Sequence, residues 1–466
     1  MKINYLNLLI GIVLGLTPLI IDFENTLNHD AKIVLTMMII MIFFWLSEAI
    51  PSSITALFPI IFSPFLCDVS FKELVSKYAS PVVFLLLGGF LISQGFEKSK
   101  FHKRLAMKSI IFFGNTKLRL LFCTIFSTAF FSMWISNTAT CLLMLPICKF
   151  LIDNAIDKND TYFAKILLLS IAYSSSIGGM ITPIGTIPNA ILVGFLNDNY
   201  GLEISFIGWV KMIFPIAFIL LLILGCYFSL RLIHNNHAID LRVLIKKYSR
   251  LGKIKMSELV CAFIITITAF MWIFKNKINS LLNISLTDPI IAIIGGILFF
   301  VIPVNSNKKS ILGADSINMV SWDVLVLFGG GLSMAFLVVE TGLSEIIANQ
   351  IIFIQHYDIL LVIFLLTLFT SLLTEFTSNT ATTFLLLPLF ASFAIEADIQ
   401  ILKVLLPVVL AASCAFMMPI STPPNAIVYS TKKISIKFMS KIGMTLNILS
   451  IIMISVYIHN FIFTLE

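Results

Sequence analysis

The chain has 466 residues, of which 12% are charged and 59% hydrophobic, with a mean hydropathy of +1.02. Soluble proteins carry roughly 25% charged residues, so half that share cannot solvate the surface, and the formal net charge of +7 points to no nucleic-acid partner. In a chain this apolar, the basic excess is read instead as topology, through its division between loops.

A spanning helix needs about 20 mostly apolar residues. The sequence predicts eleven, near 4–22, 32–50, 51–66, 80–97, 165–196, 206–230, 257–275, 288–303, 321–339, 401–430 and 442–462. The first follows Lys2 and lacks an A-x-A-like cleavage site, so a retained span is expected rather than a signal peptide. Two further stretches, 120–150 and 358–394, are interrupted centrally by polar residues. Arms of about 15 residues rise about 22 Å, short of a bilayer of about 30 Å. Each stretch is therefore a re-entrant helical hairpin or a single broken crossing.

The basic residues choose between these. With a cytoplasmic N-terminus and both stretches re-entrant, 24 of the 31 Lys and Arg face inward, at Lys2 and in 98–119, 149–165, 231–255, 308–309 and 432–441. One crossing per stretch divides them nearly evenly, against the positive-inside rule. Two full crossings per stretch give the same count as re-entrant hairpins. The expectation is a multi-pass protein of the cell (inner) membrane, N-terminus cytoplasmic and C-terminus outside, in contact with the lipid bilayer. Segments 98–114, 231–255 and 343–355 mix polar and apolar residues as interfacial helices do.

Ser136-Asn137-Thr138-Ala139-Thr140 recurs as Ser378-Asn379-Thr380-Ala381-Thr382, an offset of 242 residues that also maps Gly88-Gly89 onto Gly330-Gly331 and Pro146 onto Pro388. Thr186-Ile187-Pro188-Asn189-Ala190 recurs as Thr422-Pro423-Pro424-Asn425-Ala426, at 236. After the first span, each half holds five crossings and one hairpin. Five is odd, so equivalent elements enter from opposite sides, the inverted repeat of secondary transporters. The fold class is an all-α polytopic membrane protein with about 11 transmembrane helices and two re-entrant hairpins.

Each hairpin tip brings Ser, Asn and Thr to mid-membrane, where unpaired polar groups are costly. Pro183, Pro188, Pro419, Pro423 and Pro424 cannot sustain an uninterrupted helix. Segments 165–196 and 401–430 are thus expected to unwind centrally, freeing carbonyls for a hard cation and helix N-termini for an anion. No Lys or Arg lies near either tip in sequence, and Lys211 falls toward the outer end of its span. A multivalent anion there needs co-bound cations for balance, and Ser, Thr, Asn and carbonyl oxygens suit sodium. Glu375, three residues before Ser378, is the acid near a tip, with a structural or a coupling role open.

These residues resemble the divalent-anion/sodium symporter family of dicarboxylate, citrate and sulfate transporters over essentially the whole chain. The resemblance rests on Trp45-Leu46-Ser47-Glu48-Ala49-Ile50-Pro51, close to the family's TEAIP signature with Ser47 for Thr. It rests also on both Ser-Asn-Thr tips and on Thr182-Pro183-Ile184-Gly185-Thr186-Ile187-Pro188-Asn189, where Ile187 departs from a usual second proline. It implies one sodium at Ser132, Ser136, Asn137 and Gly185, and a second at Thr374, Ser378, Asn379 and Ser421. The offsets map Ser132 onto Thr374 and Gly185 onto Ser421. The anion's carboxylates are implied at Asn137, Thr138, Ser378, Asn379, Thr380, Thr422 and Pro423.

The resemblance also implies a homodimer working by an elevator. Its scaffold would be 1–118 and 234–356, including the interfacial linkers, and its transport domain 119–233 and 357–466. The expected function is sodium-coupled symport of C4-dicarboxylates such as succinate, malate or fumarate, with no cofactor beyond sodium as the coupling ion. The alternatives are a sulfate or citrate carrier and a sodium-independent dicarboxylate exchanger. A membrane-embedded enzyme is disfavoured, because the six His (His29, His102, His234, His237, His356, His459) fall in loops or near span ends. A channel is disfavoured because inverted broken-helix repeats suit alternating access. The seven Cys, scattered without C-x-x-C spacing, read as small buried hydrophobes.

Overall fold

The computed structural model describes residues 5–20, 27–154, 160–232, 239–305 and 307–461, so Lys2, Lys158, His234 and His237 lie outside it. Among the described residues the regular structure is helical, apart from one isolated bridge between Pro303 and Ser310. Single helices stand where ordinary crossings are predicted: His29–Ser47, Pro81–Ser99, Phe206–Leu230, Met256–Ile273, Asp288–Val301, Trp322–Glu340 and Ile436–Phe461. The first span is Tyr5–Gly15 continued by Thr17–Ile20. Phe101–Phe113, Arg242–Ser249 and Leu343–Ile351 lie within the three segments read as interfacial, of which 233–238 falls outside the described residues.

The two interrupted stretches are pairs of helices joined at their polar runs. Hairpin 1 is Lys117–Ser132 with Asn137–Asn154, and hairpin 2 is Ile359–Thr374 with Asn379–Glu396. Their first arms have 16 residues, rising about 24 Å. Thr116 starts the first, its hydroxyl accepting the Arg119 N–H, and the Asp358 carboxylate accepts the Leu360 N–H at the start of the second.

The proline-bearing segments are interrupted as expected. Broken helix 1 runs Thr161–Gly179, leaves helical geometry over 180–186 and resumes as Ile187–Tyr200. Broken helix 2 runs Ile401–Ala412, is irregular over 413–422 and resumes as Pro423–Tyr429. Proline sits in the first turn of each resumed helix, where its missing N–H has no intrahelical partner to lose.

The repeat is visible in the packing. A Cβ on Gly88 would lie 2.4 Å from the Ala292 backbone, and one on Gly330 would lie 1.9 Å from the Ala56 carbonyl oxygen. Gly88 and Gly330 are repeat equivalents, and so are Ala56 and Ala292 at the shorter offset. Each half thus presses a glycine helix onto the other half's preceding helix, the small-residue contact by which membrane helices approach closely. The halves also exchange hairpin arms. Asn137–Asn154 packs on Pro423–Tyr429, and Asn379–Glu396 packs on Ile187–Tyr200.

Two details differ from the sequence expectation. The window 51–66 is divided into Ser52–Thr55 and Phe58–Leu66, because the Ala56 carbonyl at the bend accepts the Tyr78 hydroxyl at 2.6 Å and backs on Gly330. Two short helices, Phe71–Tyr78 and Lys275–Leu282, were not anticipated. The first is fixed by a capping box between Ser70 and Glu73. Six of the seven Cys are buried, as read, while Cys226 is exposed.

Candidate functional site

At the tip of hairpin 1 the helix ends at Ser132 and restarts at Asn137. The Ser136 hydroxyl accepts the Ala139 N–H at 3.3 Å, and at hairpin 2 the Ser378 hydroxyl accepts the Ala381 N–H at 3.1 Å. Both serines therefore cap the second arm, and both are exposed. Thr138, Thr380, Asn137 and Asn379 are half-buried on the same turns.

Behind the tips the oxygens converge. The buried Ser132 hydroxyl lies 2.8 Å from Asn137 Oδ1 and 2.7 Å from the Ser175 carbonyl oxygen of broken helix 1. In hairpin 2 the Thr374 hydroxyl lies 2.9 Å from Asn379 Oδ1 and 2.9 Å from the Ala412 carbonyl oxygen. A hydroxyl has one proton to donate, so in each cluster one of the two acceptors is left facing an oxygen. A small hard cation resolves that excess, since it takes carbonyl, amide and hydroxyl oxygens together.

At the first cluster the surrounding backbone lies close. A Cβ on Gly179 would fall 2.1 Å from Asn137 Oδ1, and one on Gly185 would fall 2.5 Å from the Gly179 carbonyl and 2.9 Å from that of Ser132. Ser132, Asn137, Ser175, Gly179 and Gly185 thus share one small space, closed by glycines where a side chain would intrude. The second cluster joins Thr374, Asn379 and Ala412. Ser421, the counterpart of Gly185, donates instead to the Met418 carbonyl at 2.7 Å. Among the described residues no hydrogen bond ties Ser421 to Thr374 or Asn379.

Each break is held by an asparagine from the repeated motif. Asn189 Nδ2 is within 3.1, 3.0 and 2.8 Å of the carbonyls of Gly179, Met180 and Thr182. Asn425 Nδ2 reaches the carbonyls of Ala415 and Met418, both at 3.0 Å, and the Ser421 hydroxyl at 3.2 Å. Both asparagines are fully buried. The buried Thr422 hydroxyl caps the resumed helix 2 by accepting the Asn425 N–H at 3.3 Å, and Pro423 beside it is exposed.

The halves differ in how the break is tied to the hairpin. In half one the Thr182 hydroxyl donates to the Met133 carbonyl at 2.7 Å. In half two Glu375, the repeat equivalent of Met133, accepts the N–H groups of Met417 and Met418 at 2.9 and 3.0 Å and the Asn447 amide at 2.7 Å. Its buried carboxylate is thus a clamp on the unwound backbone. Likewise the Thr377 and Thr382 hydroxyls pair in hairpin 2. In half one Ile135 replaces the first of them, leaving the Thr140 hydroxyl buried and unpartnered.

Sequence reasoning singled out the side chains but missed the backbone acceptors, Ser175, Gly179 and Ala412, which carry no side-chain signal. Asn189 and Asn425 stood inside the repeated motif without an assigned role. Their identical spacing from the breaks, seven residues after Thr182 and Met418, was the available clue.

The sequence profile of the sodium:sulfate symporter transmembrane region matches residues 2–465. The chain is 34% identical over 475 residues to the sodium-dependent dicarboxylate transporter SdcS of Staphylococcus saprophyticus, covering 97% of this chain and 91% of that one. It is 33% identical over 472 residues to SdcS of Staphylococcus aureus (strain USA300), covering 97% and 90%. In fold it resembles the Alcanivorax borkumensis YdaH transporter, with a TM-score of 0.57 at 14% identity over 84% of this chain and 88% of that one. This chain, a multi-pass membrane protein, belongs to the sodium:sulfate symporter family.

Proposed function

We propose that this protein carries small dicarboxylate dianions across the cell membrane together with sodium ions. The observation that carries the reading is the pair of repeat-related oxygen clusters, Ser132–Asn137–Ser175 and Thr374–Asn379–Ala412. Each lies directly behind a hairpin tip, so two cations would sit beside whatever the tips hold. The names of the staphylococcal relatives supply the substrate class. One sodium takes Ser132, Ser136, Asn137 and Gly185 with the Ser175 carbonyl. The other takes Thr374, Ser378, Asn379 and Ser421 with the Ala412 carbonyl. The dianion lies between the tips, against Asn137, Thr138, Ser378, Asn379, Thr380, Thr422 and Pro423. Its charge is met by the two cations and by the N-termini of the helices starting at Asn137, Asn379 and Ile187.

In this reading 119–233 and 357–466 move as a transport domain against a dimeric scaffold of 1–118 and 234–356, an elevator. Membership of a symporter family sets the enzyme reading aside. The test is uptake of labelled succinate by liposomes holding purified protein. Uptake driven by an inward sodium gradient and abolished without sodium is expected. No sodium-driven flux of succinate, malate or fumarate would sink the reading. Because the family is described by sulfate, the same liposomes are to be offered sulfate and citrate as competitors. Exchange against internal succinate without sodium would identify the uncoupled alternative.

A further inference from the structure

Between the interfacial helix Phe101–Phe113 and the first arm of hairpin 1 lies a crevice of about 770 Å³, outside the site described above. Its walls are apolar, with Leu105, Phe112, Leu118, Phe122, Phe126 and Phe130 along them, and Phe112 and Phe130 are exposed. Two features hold its walls in place. The Ser109 and Ser127 hydroxyls meet at 2.9 Å, tying the interfacial helix to the hairpin arm. Phe122 is held from behind by the helix Phe206–Leu230, where a Cβ on Gly225 would come within 2.3 Å of its ring.

The rim is positive. Arg119 lines the crevice and is exposed, and its guanidinium bonds the neutral Asn115 amide oxygen at 3.0 Å. Of the other basic residues nearby, Arg104 is buried against Glu258 and Lys117 against Asp160, while Lys108 is exposed on the interfacial helix beside Ser109 and adds to the positive rim. In a membrane protein the phase around such a crevice is hydrocarbon, so an acyl chain enters without leaving an apolar environment. A guanidinium at the mouth adds a two-pronged partner for a phosphodiester. We propose that the crevice holds one acyl chain of an anionic phospholipid, with its headgroup phosphate on Arg119.

The test uses full-length protein in liposomes and the quenching of an introduced indole by phospholipids with brominated chains, read as the difference from the parent protein with its five native Trp. Phe112→Trp puts the reporter in the crevice. Ile448→Trp puts a control on an exposed mid-span position of the helix Ile436–Phe461. Brominated phosphatidylglycerol is expected to bind at the crevice roughly fivefold more strongly than brominated phosphatidylcholine, the ratio given by about 1 kcal/mol per basic group. The control is expected to show a ratio near one, and Arg119→Gln to remove the preference. Phe130→Trp reads the same crevice from the hairpin wall should Phe112→Trp not fold. Equal ratios at crevice and control, or a preference that survives Arg119→Gln, would overturn the proposal.

Discussion

Ser132 and Thr374 each hold two acceptors within hydrogen-bond reach of a single proton, so their worth to the protein differs with and without cations. Without an ion the single proton serves one acceptor at a time; in the sodium-coupled reading proposed above, the hydroxyl oxygen itself becomes a ligand. Ser132→Ala removes that ligand, and losing one interaction with a charged group is worth about 1.5–3 kcal/mol. The sodium concentration for half-maximal uptake is then expected to rise at least tenfold, read from succinate uptake in liposomes over a sodium series. An unchanged sodium curve would mean that the cluster holds no coupling ion. Glu375 poses a different question, because three donors already meet its carboxylate. Glu375→Gln replaces one acceptor oxygen by an amide N–H facing a backbone N–H, leaving a buried donor unsatisfied at about 1–3 kcal/mol. A lower thermal unfolding midpoint with an unchanged pH profile of uptake is expected from a clamp. A shifted pH profile at an unchanged midpoint would instead make Glu375 a coupling group.

At the scale of elements, the breaks need replacement donors; one asparagine reaches several acceptors at each, while Trp209 shares the Met180 carbonyl and Tyr173 and Ser440 take those of Phe416 and Met417. Asn189→Leu leaves the carbonyls of Gly179, Met180 and Thr182 without this amide, in a place where the residue itself has no exposure. The purified variant should unfold at a clearly lower temperature and carry no succinate. Asn189→Asp should fare no better, since a carboxylate cannot donate to carbonyls. Helix crossings are equally strict. In Gly330→Ala the added carbon would meet the Ala56 carbonyl at 1.9 Å, a backbone atom that cannot rotate away, and overpacking costs about 1–3 kcal/mol. A reduced yield of folded protein on size-exclusion chromatography is the expected result, and wild-type yield and stability would refute the contact. Gly330 and Asn189 were both marked in the sequence by the repeat, as were the broken helices by Pro183, Pro188, Pro419 and Pro423. The repeat could not show what each position touches. Ser175 and Ala412 act through carbonyls that any residue supplies, and Phe71–Tyr78 is too short and too charged to stand out from a loop by hydropathy. The partnerless Thr140 hydroxyl is visible only once Ile135 is seen where Thr377 stands in the other half.

For the whole molecule, the division of basic residues and the ion pairs of the folded chain bear on the same question independently. Lys98 pairs with Asp315, Arg104 with Glu258, Lys117 with Asp160 and Lys433 with Asp153. Every one of these joins segments that the positive-inside count puts on the inner face. Lys275 pairs with Asp288 at 2.9 Å, and both belong to the opposite face. Had the hairpins been single crossings, everything between them would change sides, and all four of these inner-face pairs would have to form through the bilayer. Pairing fixes which segments share a face but is blind to which face is cytoplasmic, and only the rule for basic residues supplies that sign. Cysteines introduced into a Cys226→Ser background decide it. With a membrane-impermeant maleimide on intact cells, Lys72→Cys and Lys277→Cys should label. Lys309→Cys and Lys437→Cys, exposed on the other face, should label only after permeabilisation. The reverse pattern would invert the molecule and place hairpin 1 with the outer leaflet. A mixed pattern, with Lys277→Cys and Lys72→Cys on different sides, would contradict the inverted repeat itself, because that repeat requires an odd number of crossings between equivalent elements and an even number between these two loops.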